Sequence, residues 1–192
     1  MVEARIPRLQ SCGVSNLWMI QCGFNDRKKR VYRKERDMTV RNAREKDIPK
    51  MIELLQQVLE IHAALQPNIF LSGTTKYSAE DLKELLEDPR KPIYVAVDEE
   101  DQVLGYAFCQ LICHEKSANT REYNSIYIDD LCVDETARGQ HVGEALFLHV
   151  KEEGKALGCY DINLHVWEGN DARKFYDKMG MVPLYTSMQT VL

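Results

Sequence analysis

No stretch of this 192-residue sequence is both long and apolar enough to span a bilayer. The nearest candidate, 14–24, is short and carries Ser15, Asn16, Gln21 and Gly23. Basic residues follow that stretch, whereas a secretory leader has them in front. Internal repeats, low-complexity segments and interior linkers are also missing. The six cysteines, Cys12, Cys22, Cys109, Cys113, Cys132 and Cys159, show no paired zinc spacing. Cys109 and Cys113 stand four apart in one apolar strand pattern and so face one side of a sheet. With Cys132 and Cys159 also in apolar runs, the expectation is buried free thiols in a reducing compartment. These absences point to a cytoplasmic protein with no bound metal and no membrane partner.

What is present fits a soluble globular chain. The content is 44% apolar and 29% charged, and the length suits one domain with a single well-buried core. The net charge of −5 is unevenly spread. Residues 1–37 hold nine Lys/Arg against four Asp/Glu, and the other 155 residues hold 16 against 26. An acidic body argues against nucleic acid as partner and for a cationic substrate. The segment 1–37, ending in a basic run from Arg27 to Arg36, reads as a disordered or loosely docked extension. A nucleic-acid arm is the lesser reading of it. Met38 directly precedes the first regular pattern and is a candidate natural start.

From Met38 the elements alternate. Thr39 to Ala43 predicts a strand. Asp47 as N-cap and Pro49 in the first turn open a helix with the apolar stripe Ile48, Met51, Ile52, Leu55, Val58 and Leu59. His62 extends that stripe and reads as a structural histidine. Gln66 to Tyr77 is a loop. Ser78 with Asp81 forms a capping box ahead of a short helix ended by Asp88-Pro89. Strands are expected at Ile93 to Val97, Val103 to Cys113, Tyr123 to Val133 and Tyr160 to Trp167. A helix from Asn170 to Met179 stops at Gly180, and Val182 to Leu192 predicts closing strands. The fold class is α/β, a mixed and mostly antiparallel central sheet flanked by helices in a single domain, residues 38–192.

The most informative line is Ile126 to Leu148. An apolar strand carrying Asp129 and Asp130 runs into a polar loop, Asp134 to Ala137, and then into Arg138-Gly139-Gln140-His141-Val142-Gly143. A helix begins there, with Val142, Ala145, Leu146 and Val150 at helical spacing. A strand, a glycine-bearing loop and a helix N-terminus together aim backbone amides at an anion such as phosphate. The run IYIDDLCV followed by RGxxVG resembles the acyl-CoA-binding motif of the GNAT superfamily of N-acetyltransferases. Within it the stretch is most similar to the spermidine/spermine and small-diamine acetyltransferases, which carry a similar acidic pair.

The resemblance implies acetyl-CoA as co-substrate, held by the main chain of Leu131, Cys132 and Val133 and by Arg138, Gly139, Gln140, His141, Val142 and Gly143. His141 departs from the usual glycine at its position and either adds a hydrogen bond or crowds the phosphates. Asn170 matches the family residue on the pantetheine arm and equally suits a helix N-cap. Tyr176 fits the N…A..FY…G pattern and is the candidate general acid for the thiolate. Asp129 is first choice, and Asp130 second, for orienting or deprotonating the amine. Neighbours on a strand point to opposite faces, so only one of the two aims into the cleft unless a bulge intervenes. In the family the first two helices and the loop between them border the acceptor site, so Phe70 and Tyr77 are candidates to touch substrate and equally suit a lid that merely packs. A covalent route through Cys132 is disfavoured, because no histidine is evidently paired with it.

The activity implied is acetyl transfer to a small primary amine, such as a polyamine, diamine or aminoglycoside-like compound, by direct attack in a ternary complex. A protein N-terminus or lysine is the alternative acceptor, and an acyl-CoA-binding module without turnover is the alternative class. The resemblance also admits a homodimer, although no stretch identifies an interface.

Overall fold

The computed structural model of the protein describes residues 38–191. The expectations placed on 1–37, with Cys12 and Cys22, lie outside the described residues. The elements are β1 (Thr39–Asn42), α1 (Ile48–Leu65), α2 (Ala79–Leu86), β2 (Ile93–Val97), β3 (Val103–His114), β4 (Tyr123–Val133), α3 (Val142–Ala156), β5 (Asp161–Leu164) and α4 (Ala172–Lys178). The five strands lie in chain order across one sheet. β1 to β4 pair antiparallel, and β5 pairs parallel with β4 after the α3 crossover. The mixed, mostly antiparallel α/β sheet read from the sequence is the observed one.

β2 is buried at every position, as a central strand covered on both faces should be. On one face α1 and α2 bury Met51, Leu54, Leu55 and Leu82 against Val95, Val97, Tyr106, Phe108 and Cys132. On the other, α3 buries Val142, Leu146, Phe147 and Val150 against Tyr94, Ala96, Ala107, Ile126 and Ile128, and α4 adds Phe175, Tyr176 and Met179. The capping box is present: the Asp81 amide donates to Ser78 Oγ at 3.1 Å, and the Ser78 amide donates to Asp81 Oδ2 at 2.8 Å.

Several local expectations are corrected. Asp47 sits at the N-cap position of α1 without capping it. Its buried carboxylate instead accepts from Arg41 Nη1 at 2.7 Å and from the Arg44 amide at 2.8 Å, so the Arg41 charge and a preceding turn have claimed it. β5 spans four residues and ends before His165, and α4 covers Ala172–Lys178. Residues 182–191 form no strand: their backbone pairs with none of the five, and Val182, Leu184, Tyr185, Met188 and Val191 are all exposed. Cys109 and Cys132 are buried and Cys159 is half-buried, but Cys113 is exposed, because it lies where β3 runs out from under the helices.

Gly105 sets how closely α3 approaches the sheet. A Cβ there would lie 2.7 Å from the Cys132 carbonyl oxygen, 3.2 Å from Val142 and 3.3 Å from Leu146. Gly105→Ala should therefore lower stability by about 2 kcal/mol, the ordinary cost of overpacking a core. Urea unfolding of the two proteins checks this, and an unchanged midpoint would show that the backbone yields freely.

Candidate active site

The site begins with one extra residue in β4. Cys109 of β3 faces Ile128 and Phe108 faces Asp130, which leaves Asp129 without a partner. The bulge inverts the alternation of the strand. Before it, Ile126 and Ile128 face α3; after it, Leu131 and Val133 do so, while Cys132 joins the α1–α2 face. Asp130 shares the side of its partner Phe108, and Asp129 reaches residues of the loop between α1 and α2. Both carboxylates therefore turn toward the α1–α2 face. The sequence allowed only one to do so without a bulge, and nothing in its pattern announced where the extra residue would fall.

Each acid has a different partner. Asp129 Oδ2 accepts from Lys76 Nζ at 2.6 Å and from the Tyr77 hydroxyl at 3.4 Å. Asp130 Oδ2 accepts from the Tyr106 hydroxyl at 3.1 Å. Burial pushes the Asp130 carboxyl up to about 6 against the pull of the Lys76 charge and the Tyr106 hydrogen bond, and the neighbouring Asp129 charge raises it further. Burial alone would lower Lys76, but its hydrogen bond and charge pairing with Asp129 outweigh that and hold it above its ordinary value. The Tyr77 ring stacks on Phe108 with centroids 5.8 Å apart. Alongside, the Tyr127 hydroxyl meets His165 Nδ1 at 3.3 Å, and His165 Nε2 meets the Tyr185 hydroxyl at 2.6 Å. Phe70 packs between His62 and Trp167, at 5.2 Å and 5.6 Å. The same loop thus roofs the acids, and Phe70 and Tyr77 both stand in it. Lys76, Tyr106, Tyr127, His165 and Tyr185 were missed. A lysine in a loop and tyrosines in strands carry no signal until the bulge brings the acids to them.

The other half of the site follows directly along the chain. Asp134 anchors the turn after β4: it accepts from the Thr136 amide at 2.8 Å, from Thr136 Oγ1 at 2.6 Å and from Lys50 of α1 at 2.6 Å. Those bonds hold its carboxyl down at about 2. Gly139 (φ 75°) and His141 (φ 63°) are both left-handed, and α3 starts at Val142. For His141 that conformation costs on the order of 1 kcal/mol. Its ring is exposed and pairs with Glu144 Oε2 at 2.8 Å. The first backbone bond of α3 runs from the Ala145 amide to His141 O, at 2.9 Å. The amides from Gly139 to Glu144 donate to no acceptor among the described residues.

Above these amides lies an open groove of about 380 Å³, whose lining includes Leu131, Val133, Arg138, Gly143, Phe175 and Lys178. A Cβ on Gly143 would sit 3.5 Å from the Phe175 ring and from Val133, which leaves room for a methyl group and little more. Gln140 is tied to the turn, Nε2 donating to the Thr136 carbonyl at 3.1 Å.

Like Gln140 and the two acids, the predicted residues Cys132, Asn170 and Tyr176 lie apart from the groove lining. The buried Cys132 thiol donates to the Leu54 carbonyl, 3.5 Å away, and burial pushes it up to about 12, away from the thiolate form a nucleophile needs. Asn170 Oδ1 accepts from the Ala172 amide at 2.9 Å, which occupies it as a cap at the start of α4. Tyr176 is half-buried beside Phe175, and burial, reinforced by the Asp130 charge, raises its phenol far above the ordinary value. Tyr176 packs with the cluster on the α3 face. No group of residues able to hold a metal is found among the described residues, and no described helix is long and apolar enough to cross a membrane.

Solved structures share this fold. The BH1408 protein from Bacillus halodurans, crystallised as a mutant, superposes with a TM-score of 0.77 at 29% identity, over 80% of this chain and 99% of that one. An aminoglycoside acetyltransferase from an uncultured soil metagenomic sample, in complex with trehalose, gives 0.60 at 20% identity, over 81% and 96%. Glucosamine-6-phosphate N-acetyltransferase from Arabidopsis thaliana gives 0.59 at 21% identity, over 80% and 97%. At those last two identities the likeness is one of fold. No curated protein matches the sequence. The acetyltransferase (GNAT) family profile matches residues 55–181, from within α1 to just past α4 and so across both halves of the site; the chain is an enzyme of that family.

Proposed function

We propose that this enzyme transfers the acetyl group of acetyl-CoA to a small primary amine by direct attack in a ternary complex. What carries the proposal is the bulge at Asp129, which turns two carboxylates toward one face a single residue ahead of the strand segment that enters the anion-ready loop. Members of the family use acetyl-CoA as co-substrate. The residues present suit it: unpartnered amides at the positive end of α3, Arg138 and Lys178 beside them, and an apolar wall of Leu131, Val133 and Phe175. When bound, acetyl-CoA supplies an acetyl thioester that an amine can attack.

The amides of Gly139 to Glu144 hold the pyrophosphate, and the main chain of Leu131 to Val133 orients the pantetheine arm. Asp129 draws in the ammonium and aligns it. Asp130, with its carboxyl raised to about 6, takes the amine proton through water at neutral pH. Its affinity for a proton is closer to neutrality than that of an ordinary aspartate. The Tyr176 phenol, held far above its usual value, stays protonated until the thiolate leaves and then donates to sulfur. Nitrogen bonds to the carbonyl carbon as the carbon–sulfur bond breaks. Of the two protons the ammonium gives up, one leaves through Asp130 to water and the other restores the phenol. The fold-level kinship with enzymes named for aminoglycosides and glucosamine-6-phosphate supports a small-molecule acceptor. The acidic pair is the feature shared with the polyamine and diamine branch.

Tyr176→Phe should lower kcat by about 100-fold, the usual worth of a positioned general acid, while leaving acetyl-CoA affinity unchanged by calorimetry. Equal rates for the two proteins would remove the phenol from the reaction. The pH profile tests Asp130 separately. The carboxyl is protonated below its pKa and accepts a proton only above it, so kcat/KM should rise with pH through an inflection near about 6. In Asp130→Asn that inflection should vanish; its survival would assign it to another group.

A further inference from the structure

The acceptor side of the bulge contains a cation, and that constrains what can bind there. Lys76 Nζ lies 2.6 Å from Asp129 Oδ2. Its side chain remains 42% exposed against 16% for Asp129. A site built to collect a polycation would present open carboxylates. Here one acid already carries an internal counter-ion and the other lies against Tyr106. Two nearby acids are engaged as well: Glu60 accepts from Ser72 and the Gly73 amide, both at 2.6 Å, and Asp81 is taken up in the α2 capping box. The Lys76 charge extends into the cleft: it lowers His62, whose larger cause is burial, and it acts on Tyr127.

The unused valences of the pair are complementary to one another. Both Lys76 and Tyr77 bond to Oδ2 of Asp129, so Oδ1 has no partner among the described residues. Lys76 has three N–H donors, of which one is directed at Asp129. An exposed donor and a free acceptor therefore stand side by side, with opposite charges. A molecule with an ammonium and a carboxylate on one carbon fits that pattern. Its nitrogen takes Asp129 Oδ1 and its carboxylate takes the outer face of Lys76. Such a zwitterion also adds no net charge to the cluster. A diamine brings a second cation, and Glu60 and Asp81 are both already occupied.

We infer that the acceptor is an α-amino acid or a closely similar amine with a carboxylate beside its nitrogen, and that Lys76 is the residue that selects it. The inference rests on the acetyl-transfer reading above and specifies its substrate class.

The test compares amino acids with the amines left when the carboxylate is removed: norleucine with pentylamine, lysine with cadaverine, phenylalanine with phenethylamine. Thiol release from acetyl-CoA is measured for wild type, Lys76→Gln and Lys76→Arg. Wild type should favour the carboxylate-bearing member by about tenfold or more in kcat/KM, the worth of one charged hydrogen bond. Lys76→Gln should reduce that preference to near parity and improve cadaverine, since Asp129 is then released, and Lys76→Arg should keep most of it. Faster release with the plain amines, or a preference that survives Lys76→Gln, overturns the inference while leaving acetyl transfer intact. Calorimetry of the same pairs on the CoA-loaded protein reads the preference without turnover. Selective binding with no thiol release overturns the transfer reading alone, and binding of neither class overturns the inference.

Discussion

Everything at this site depends on a single unpaired residue in β4. A regular strand would send Asp129 and Asp130 to opposite faces of the sheet, one toward α1 and α2 and the other under α3. The extra residue rotates the strand and resets its alternation, so that Leu131 and Val133 continue the α3 face while both acids lie opposite. The bulge costs ladder hydrogen bonds at that point. It survives because the long β3–β4 pairing on either side, from Gly105 opposite Val133 to His114 opposite Tyr123, holds the two strands in register. A well-determined sheet can absorb one irregular residue where an isolated hairpin would slip.

The loop after β4 shows the same economy of position. Asp134 ties the turn to Lys50 of α1 and to Thr136, and this fixes where α3 begins. Gly139 and His141 then adopt left-handed backbone, which leaves the amides from Gly139 to Glu144 without internal acceptors. Unsatisfied amides at a helix start are tolerable only where water or an anion can reach them, and here they open onto a groove flanked by Arg138 and Lys178. The strain at His141 is offset in part by its exposed ring, which bonds to Glu144 on the first turn of the helix.

Electrostatics separates the roles of groups that look alike in one dimension. Asp130 and Tyr176 are both raised by burial, with opposite consequences: the acid moves toward neutrality, where it can exchange a proton, and the phenol moves away from it, where it keeps one. Asp129 is governed by its neighbour Lys76, which converts a bare negative charge into a dipole with an open end on each side. That difference separates a site for cations in general from one with a preference for zwitterions.

The sequence by itself determined the element order, the strand-to-helix loop, the acidic pair and the tyrosine of α4, because each rests on local pattern: apolar periodicity, a capping box, glycine at a turn. It did not determine the strands expected after Val182, since a strand exists only where its backbone pairs with an edge, and 182–191 pair with none. Nor did it foresee Asp47 turned back onto Arg41 of the neighbouring β1, a competition that the turn between the two elements decides. The tertiary structure alone decided which way Asp130 points, and that Lys76, 53 residues before Asp129, would meet it at 2.6 Å. Register shifts and long-range ion pairs depend on how separate segments settle against one another. No single stretch of sequence carries that information.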